Sequence, residues 1–216
     1  MGRPFSWDVD PANANLVGFA SNVTGATWTL TANDSGDSLA HQVSIRNDSV
    51  TDHSAKTALL TGTGANGQAL TETVNLPSTS ATIESTQYFL TLTSVVPSST
   101  IGADTMDIGW VDEVVTATYP LNHRGDVPAA YVVSGSSGTY SAAIEETFVD
   151  FQNKLSPAAV TYAPVWLSNQ GTPAGTTAID ISQAGLPNAT GARLRLISYT
   201  DTAELQFTIS QRSASE

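Results

Sequence analysis

Along most of this chain, apolar side chains recur at every second position in short runs divided by Gly, Pro, Asn, Asp and Ser. That period places successive side chains on opposite faces, so each run reads as a strand with one buried face. Residues 27–32 alternate in this way, as do 41–47, where Val43 and Ile45 share a face. Residues 57–63 and 69–76 flank Ala65-Asn66-Gly67-Gln68. Asn-Gly tolerates positive φ at both positions, which predicts a hairpin there. Residues 86–96 form the longest candidate strand, and 105–111 close the set. Turn-rich stretches at 33–38 and 97–100 separate these elements.

A second series follows. It comprises 130–134, 139–148, 160–167 and 177–182, and Pro164 marks the third as an edge or bulged strand. The clearest pair is the last. In 192–196 arginines alternate with leucines, and in 203–209 Leu205, Phe207 and Ile209 share a face. The spacing predicts a hairpin through 198–202, with Arg193 or Arg195 opposite Glu204. Only 150–155 reads as a single helical turn. The expectation is an all-β fold: two antiparallel sandwich-like domains in tandem, 27–117 and 128–212. A linker over 118–127 joins them, since Pro120, Gly125 and Pro128 interrupt any period there. Residues 1–26 read as an irregular arm, because Pro4 and Pro11 discourage a regular element. The arm packs either on its own domain or on a neighbouring subunit. Phe5, Trp7, Leu16 and Phe19 are its candidate assembly contacts.

Composition narrows the function. Only 13% of the 216 residues are charged, and the net charge is −12. Up to Thr118 there are twelve acidic and three basic residues, and beyond it eight and five. Nucleic-acid binding needs clustered Lys and Arg, and no basic run exists. Polyanionic membrane surfaces are disfavoured for the same reason. Polarity comes instead from Ser and Thr, and threonine suits a pleated surface. The absence of cysteine excludes disulfides and thiolate metal sites. Residues 1–7 lack an apolar signal-peptide region, and no apolar run approaches the roughly 20 residues of a membrane helix. Synthesis and assembly in a cytoplasm are expected.

Candidate chemistry is sparse. Asp34, Asp37, Asp48 and Asp52 lie in Asn- and Ser-rich loops, but without the spacing of a calcium loop. They read as solvated turn residues, as do Asp104 and Asp107. His41, His53 and His123 have no partner at metal-ligand spacing and read as exposed structural residues. Glu145 and Glu146 are adjacent on a strand, face opposite ways, and cannot act as a glycosidase pair. Arg124-Gly125-Asp126 reads as a turn, and the Asn-x-Ser/Thr sequences as Asn-rich turns. Trp7, Trp28, Trp110 and Trp166 are scattered over different elements, which suits packing better than a sugar-stacking platform. No catalytic, cofactor or metal site is expected, and the chain reads as a non-enzyme.

Several segments together resemble a family of tailed-bacteriophage virion structural proteins. In the first half these are 40–45, Thr61-Gly62-Thr63 with Gly67, Thr71-Glu72-Thr73, Thr93-Ser94-Val95, and Gly109-Trp110-Val111-Asp112-Glu113. The join at 119–122 also fits. In the second half, 133–141 with Glu146-Thr147-Phe148, and the ending from Ala192 to Gln211, are similar to the family's second β region. The match loosens over 142–144 and 149–151. The resemblance implies a virion protein assembled in a bacterial host, whose partners are the major capsid protein or connector subunits and copies of itself. It carries over no catalytic residue. A capsid decoration (cement) role is favoured by acidic charge, a Thr/Ser shell and an arm able to cross a subunit boundary. A head–tail connector or tail-ring component, and a carbohydrate- or receptor-binding fibre module, are the alternatives.

Overall fold

The computed structural model describes residues 4–121, 129–148, 166–171, 175–176, 181–185, 188–200 and 202–211. It is all-β and antiparallel, and the described residues contain no helix. Two compact units divide the chain: Ala12–Val115, and Met1–Pro11 together with Thr116–Glu216. The chain therefore crosses from the second unit to the first after Pro11 and returns after Val115.

The Ala12–Val115 unit holds β2 (Asn15–Val23), β3 (Ala40–Asn47), β4 (Thr57–Gly64), β5 (Ala69–Asn75), β6 (Thr82–Pro97) and β7 (Met106–Val115). Their order is β2-β7-β3-β6-β4-β5. The long β6 serves two partners in succession. Its first half, from Thr82 to Phe89, pairs with β3, and its second half, from Phe89 to Pro97, pairs with β4. A strand handed on in this way lets one ladder wrap around a core. That core joins Phe19, Trp28, Val43, Ile45, Leu60, Leu92, Ile108 and Trp110.

The predicted hairpin is β4–β5, in the register from Thr57↔Asn75 to Thr63↔Ala69. Its turn differs. Gly67 alone takes positive φ (77°), while Asn66 does not. Gly67 N–H donates to Gly64 O, and Gly64 N–H donates to Gln68 O. This is a three-residue loop ending in a glycine bulge, which requires positive φ at one position only.

The second unit has two sheets. One runs β1 (Phe5–Val9), β15 (Glu204–Ser210), β9 (Ala130–Ser137), β13 (Ile181–Ala184). The other places β10 (Thr139–Thr147) between β11 (Leu167–Gly171) and β14 (Gly191–Tyr199), with the two-residue strands β12 (Gly175–Thr176) on β10 and β8 (Tyr119–Pro120) on β14. Two short connections pass from one sheet to the other. Gly138 (φ 71°) joins β9 to β10, and residues 200–203 join β14 to β15. They are tied together, because Thr200 N–H donates to Thr139 O and Thr139 N–H to Thr200 Oγ1.

Three sequence expectations are corrected. Residues 1–26 are not an irregular arm but contain β1 and β2. Phe5, Trp7 and Val9 do alternate, and Pro4 and Pro11 bound the strand rather than prevent it. The pairing of β2 with β7 is interrupted twice by bulges, which hides its period. Residues 27–32 form no strand, because Thr31 N–H, Ala32 N–H and the Thr31 hydroxyl all converge on Phe19 O instead of a ladder. Finally, 192–196 and 203–209 do not form a hairpin. β14 pairs with β10, whereas β15 pairs with β1 and β9. Leu194, Leu196, Leu205, Phe207 and Ile209 are all buried as expected. Period-two burial is satisfied equally by neighbouring strands and by strands in two facing sheets, so the pattern alone selects neither. The candidate strand at 160–167 lies mostly outside the described residues, as do 150–155, His123, and Arg124-Gly125-Asp126.

Candidate functional site

The four expected assembly contacts separate. Phe19 is 2% exposed and packs against Trp110, with ring centroids 5.0 Å apart, so it belongs to the core of its own unit. Leu16 is half-buried. Trp7 is half-buried and lies edge-on to Phe207 at 4.8 Å. Phe5 is 48% exposed, 5.1 Å from Trp7 and 4.9 Å from Tyr119. Strand β1 thus carries an aromatic cluster that is anchored at Phe207 and open at Phe5.

A cleft of about 440 Å³ runs beside it, lined by Asp8, Asp10, Ser134, Ser136, Glu204 and Gln206 among others. Asp8 and Glu204 are engaged locally. Gln206 Nε2 donates to Asp8 Oδ1 (3.4 Å), and Ser136 Oγ donates to Glu204 Oε2 (3.1 Å). Among the described residues, no group of three or more His, Cys, Asp or Glu side chains converges in a geometry that could hold a metal ion.

The titratable groups are placed differently from the sequence expectation. His41 and His53 are buried, not exposed. His41 Nε2 lies 2.7 Å from Asp37 Oδ2 and Nδ1 lies 3.2 Å from Val111 O. Asp37 is a half-buried hub whose side chain is 5% exposed, not a solvated turn residue: it also accepts from Ala12 N–H, Leu39 N–H and the Ser35 hydroxyl. Burial pushes the Asp37 carboxyl up, but the His41 hydrogen bond and charge, with Ser35 and Ala12, hold it below the usual range. His53 Nε2 lies 3.0 Å from Asp104, and Lys56 Nζ reaches both His53 Nδ1 (3.3 Å) and Thr100 O (2.7 Å). Asp107 is also buried. It accepts from Asn22 N–H and pairs with Arg46, which reaches Asp48 as well. Burial opposes ionisation of Asp107, yet Asn22 N–H and the Arg46 guanidinium keep its carboxyl low.

Glu145 and Glu146 do face opposite ways. Glu145 takes Arg193, at 2.7 Å, and Arg195, at 3.4 Å, in place of the expected Arg–Glu204 pair. Arg193 also stacks over Trp166 at 4.1 Å. Glu146 is fully buried and accepts the Tyr131 hydroxyl at 2.6 Å, a contact between the two sheets of the second unit. Burial, then Glu146, push the Tyr131 hydroxyl far above its ordinary value. Most of these partners are distant in sequence, and only the short spacings Asp37-x-x-x-His41, Arg46-x-Asp48 and His53-x-x-Lys56 offered a local signal.

The motif residues are built into the fold. The Trp110 indole N–H donates to Asn13 O (2.8 Å), and a side chain at Gly109 would collide with the backbone of Asn15 and Leu16. A Cβ at Gly62 would strike the backbone of Thr91. Glu72 accepts from Thr86 N–H and Gln87 N–H, and the Tyr88 hydroxyl donates to Glu113. No protein-family model and no curated protein sequence matches the chain.

Proposed function

We propose that this chain is a non-enzymatic structural component of a tailed-bacteriophage virion, acting as a capsid decoration protein that stabilises the particle through subunit contacts. One observation carries the reading. The residues on which the resemblance rests are committed to holding strands together: Gly62 and Gly109 at close backbone approaches, Trp110 and Glu113 in hydrogen bonds, Glu72 bridging β5 to β6. Among the described residues, Asp37, Asp107 and Glu145 are likewise paired with His41, Arg46 and Arg193 within their own units. What the surface offers instead is strand edges and apolar side chains. Among the described residues, β5 and β1 each have a ladder partner on one side only. Leu59 and Val96, register partners on β4 and β6, are both exposed. Such features suit burial against neighbours in a symmetric assembly.

Quantitative mass spectrometry of purified particles tests this. Decoration requires on the order of hundreds of copies, comparable to the major capsid protein, since every shell position is equivalent. About a dozen copies or fewer would replace decoration with the connector reading. Absence from the particle would overturn the virion reading altogether.

A further inference from the structure

We propose that β1 is exchanged between copies of this chain, so that residues 5–9 of one copy complete the second unit of another. The inference concerns self-association and does not depend on where the protein sits in a particle. Four observations lead to it.

First, β1 is separated in sequence from the unit it completes. Its ladder partner β15 lies about two hundred residues on, in the register Phe5↔Ile209 to Val9↔Leu205, with the whole Ala12–Val115 unit between them. Nothing local in the chain ties β1 to β15. Second, the slot is specific. Val9 is 1% exposed, Trp7 sits on Phe207 and beside Tyr119, and the Ser6 and Thr208 hydroxyls share a 2.8 Å hydrogen bond. An empty slot would leave the β15 backbone and Phe207 uncovered, so some copy of β1 has to fill it. Third, β1 lies at the rim of its sheet, so it can leave or enter without displacing another strand. Fourth, the connection is short and fixed at its far end. Asp10-Pro11 leads directly to Ala12, whose N–H is held by Asp37 at 2.7 Å. Proline limits how the chain can fold back at this hinge. Since the same contacts form in either arrangement, exchange costs only association entropy, which a crowded assembly lowers.

The lack of cysteine makes the test clean. Chains carrying Ser6→Cys and chains carrying Thr208→Cys are co-expressed, oxidised and run on a non-reducing gel. These positions face each other in register, at a spacing a disulfide can bridge. Exchange gives a covalent heterodimer at least tenfold above a control mixture of Ser6→Cys with Val50→Cys, since Val50 is exposed and unrelated to the slot. A second pair, Asp8→Cys with Gln206→Cys, repeats the test at the next facing positions on the same side. Heterodimer from either pair supports exchange. If both mixtures stay at the control level, β1 folds back on its own copy and the proposal fails.

Discussion

Phe207 and Gln206 are neighbours on β15 with opposite surroundings. Phe207 is fully buried between Trp7 and Tyr131, whereas Gln206 is exposed. Truncating a buried Phe costs about 3–5 kcal/mol, a large part of the roughly 5–15 kcal/mol that holds a domain together. Phe207→Ala should therefore sharply lower the denaturant midpoint of the second unit, and Gln206→Ala should leave it nearly unchanged. Equal shifts would contradict the burial pattern of β15. A buried polar contact gives a second test. Tyr131→Phe removes the hydroxyl that Glu146 accepts, and leaving a buried acceptor short of a donor costs about 1–3 kcal/mol. A melting temperature unchanged by Tyr131→Phe would mean that Glu146 is satisfied without it. The acid response of the Ala12–Val115 unit follows from Asp37 and Asp107. Both carboxyls sit below their ordinary value of 3.8 in the folded state. The unfolded chain then takes up protons first, so their contribution is complete above that value and is lost as pH falls through the lower folded values. Asp48, pushed up by burial and by Asp107, works in the opposite sense and blunts the loss. Thermal melts from pH 5 to 2 should fall most steeply below about pH 4. Asp37→Asn should flatten that slope, and an unchanged slope would remove Asp37 as a source.

At the scale of elements, the β4–β5 turn is the sharpest case. Gly67 at φ 77° occupies a conformation that costs an ordinary L-residue about 1–2 kcal/mol. Gly67→Ala should destabilise by that amount, while Gly67→Asn, which tolerates positive φ, should cost less. Urea denaturation of the two variants decides, and an equally stable Gly67→Ala would contradict the bulged turn. This hairpin was legible in the sequence because both its signals, alternation and Asn-Gly, are local. So were β3, β6, β7, β9 and β10, at least in outline. The fate of β14 and β15 was not, because period-two alternation identifies a buried face without naming the strand beside it. Leu194 and Leu205 are both buried but lie in different sheets, and their alternation looks the same in either topology. The paired charges were hidden for a similar reason. Arg193 finds Glu145 across 48 positions and Arg46 finds Asp107 across 61, separations that no motif spacing encodes.

For the whole molecule, the chain carries a net charge of −12 with only 13% charged residues, and among the described residues β1 and β5 each have a ladder partner on one side only. Among the described residues, Asp37 pairs with His41, Asp104 with His53, Asp107 with Arg46 and Glu145 with Arg193. Phe5, exposed at the rim of an anchored aromatic cluster, is the one residue expected from the sequence as an assembly contact that also stands open in the fold. The role we propose for this protein is to stabilise a particle by binding its shell. It is tested most directly by adding purified chain to particles that lack it, then measuring bound copies and the temperature at which the particles release DNA. Saturable binding on the order of hundreds of copies is expected, with a release temperature that rises as sites fill. Binding at a single vertex, or saturation with no change in release temperature, would contradict it.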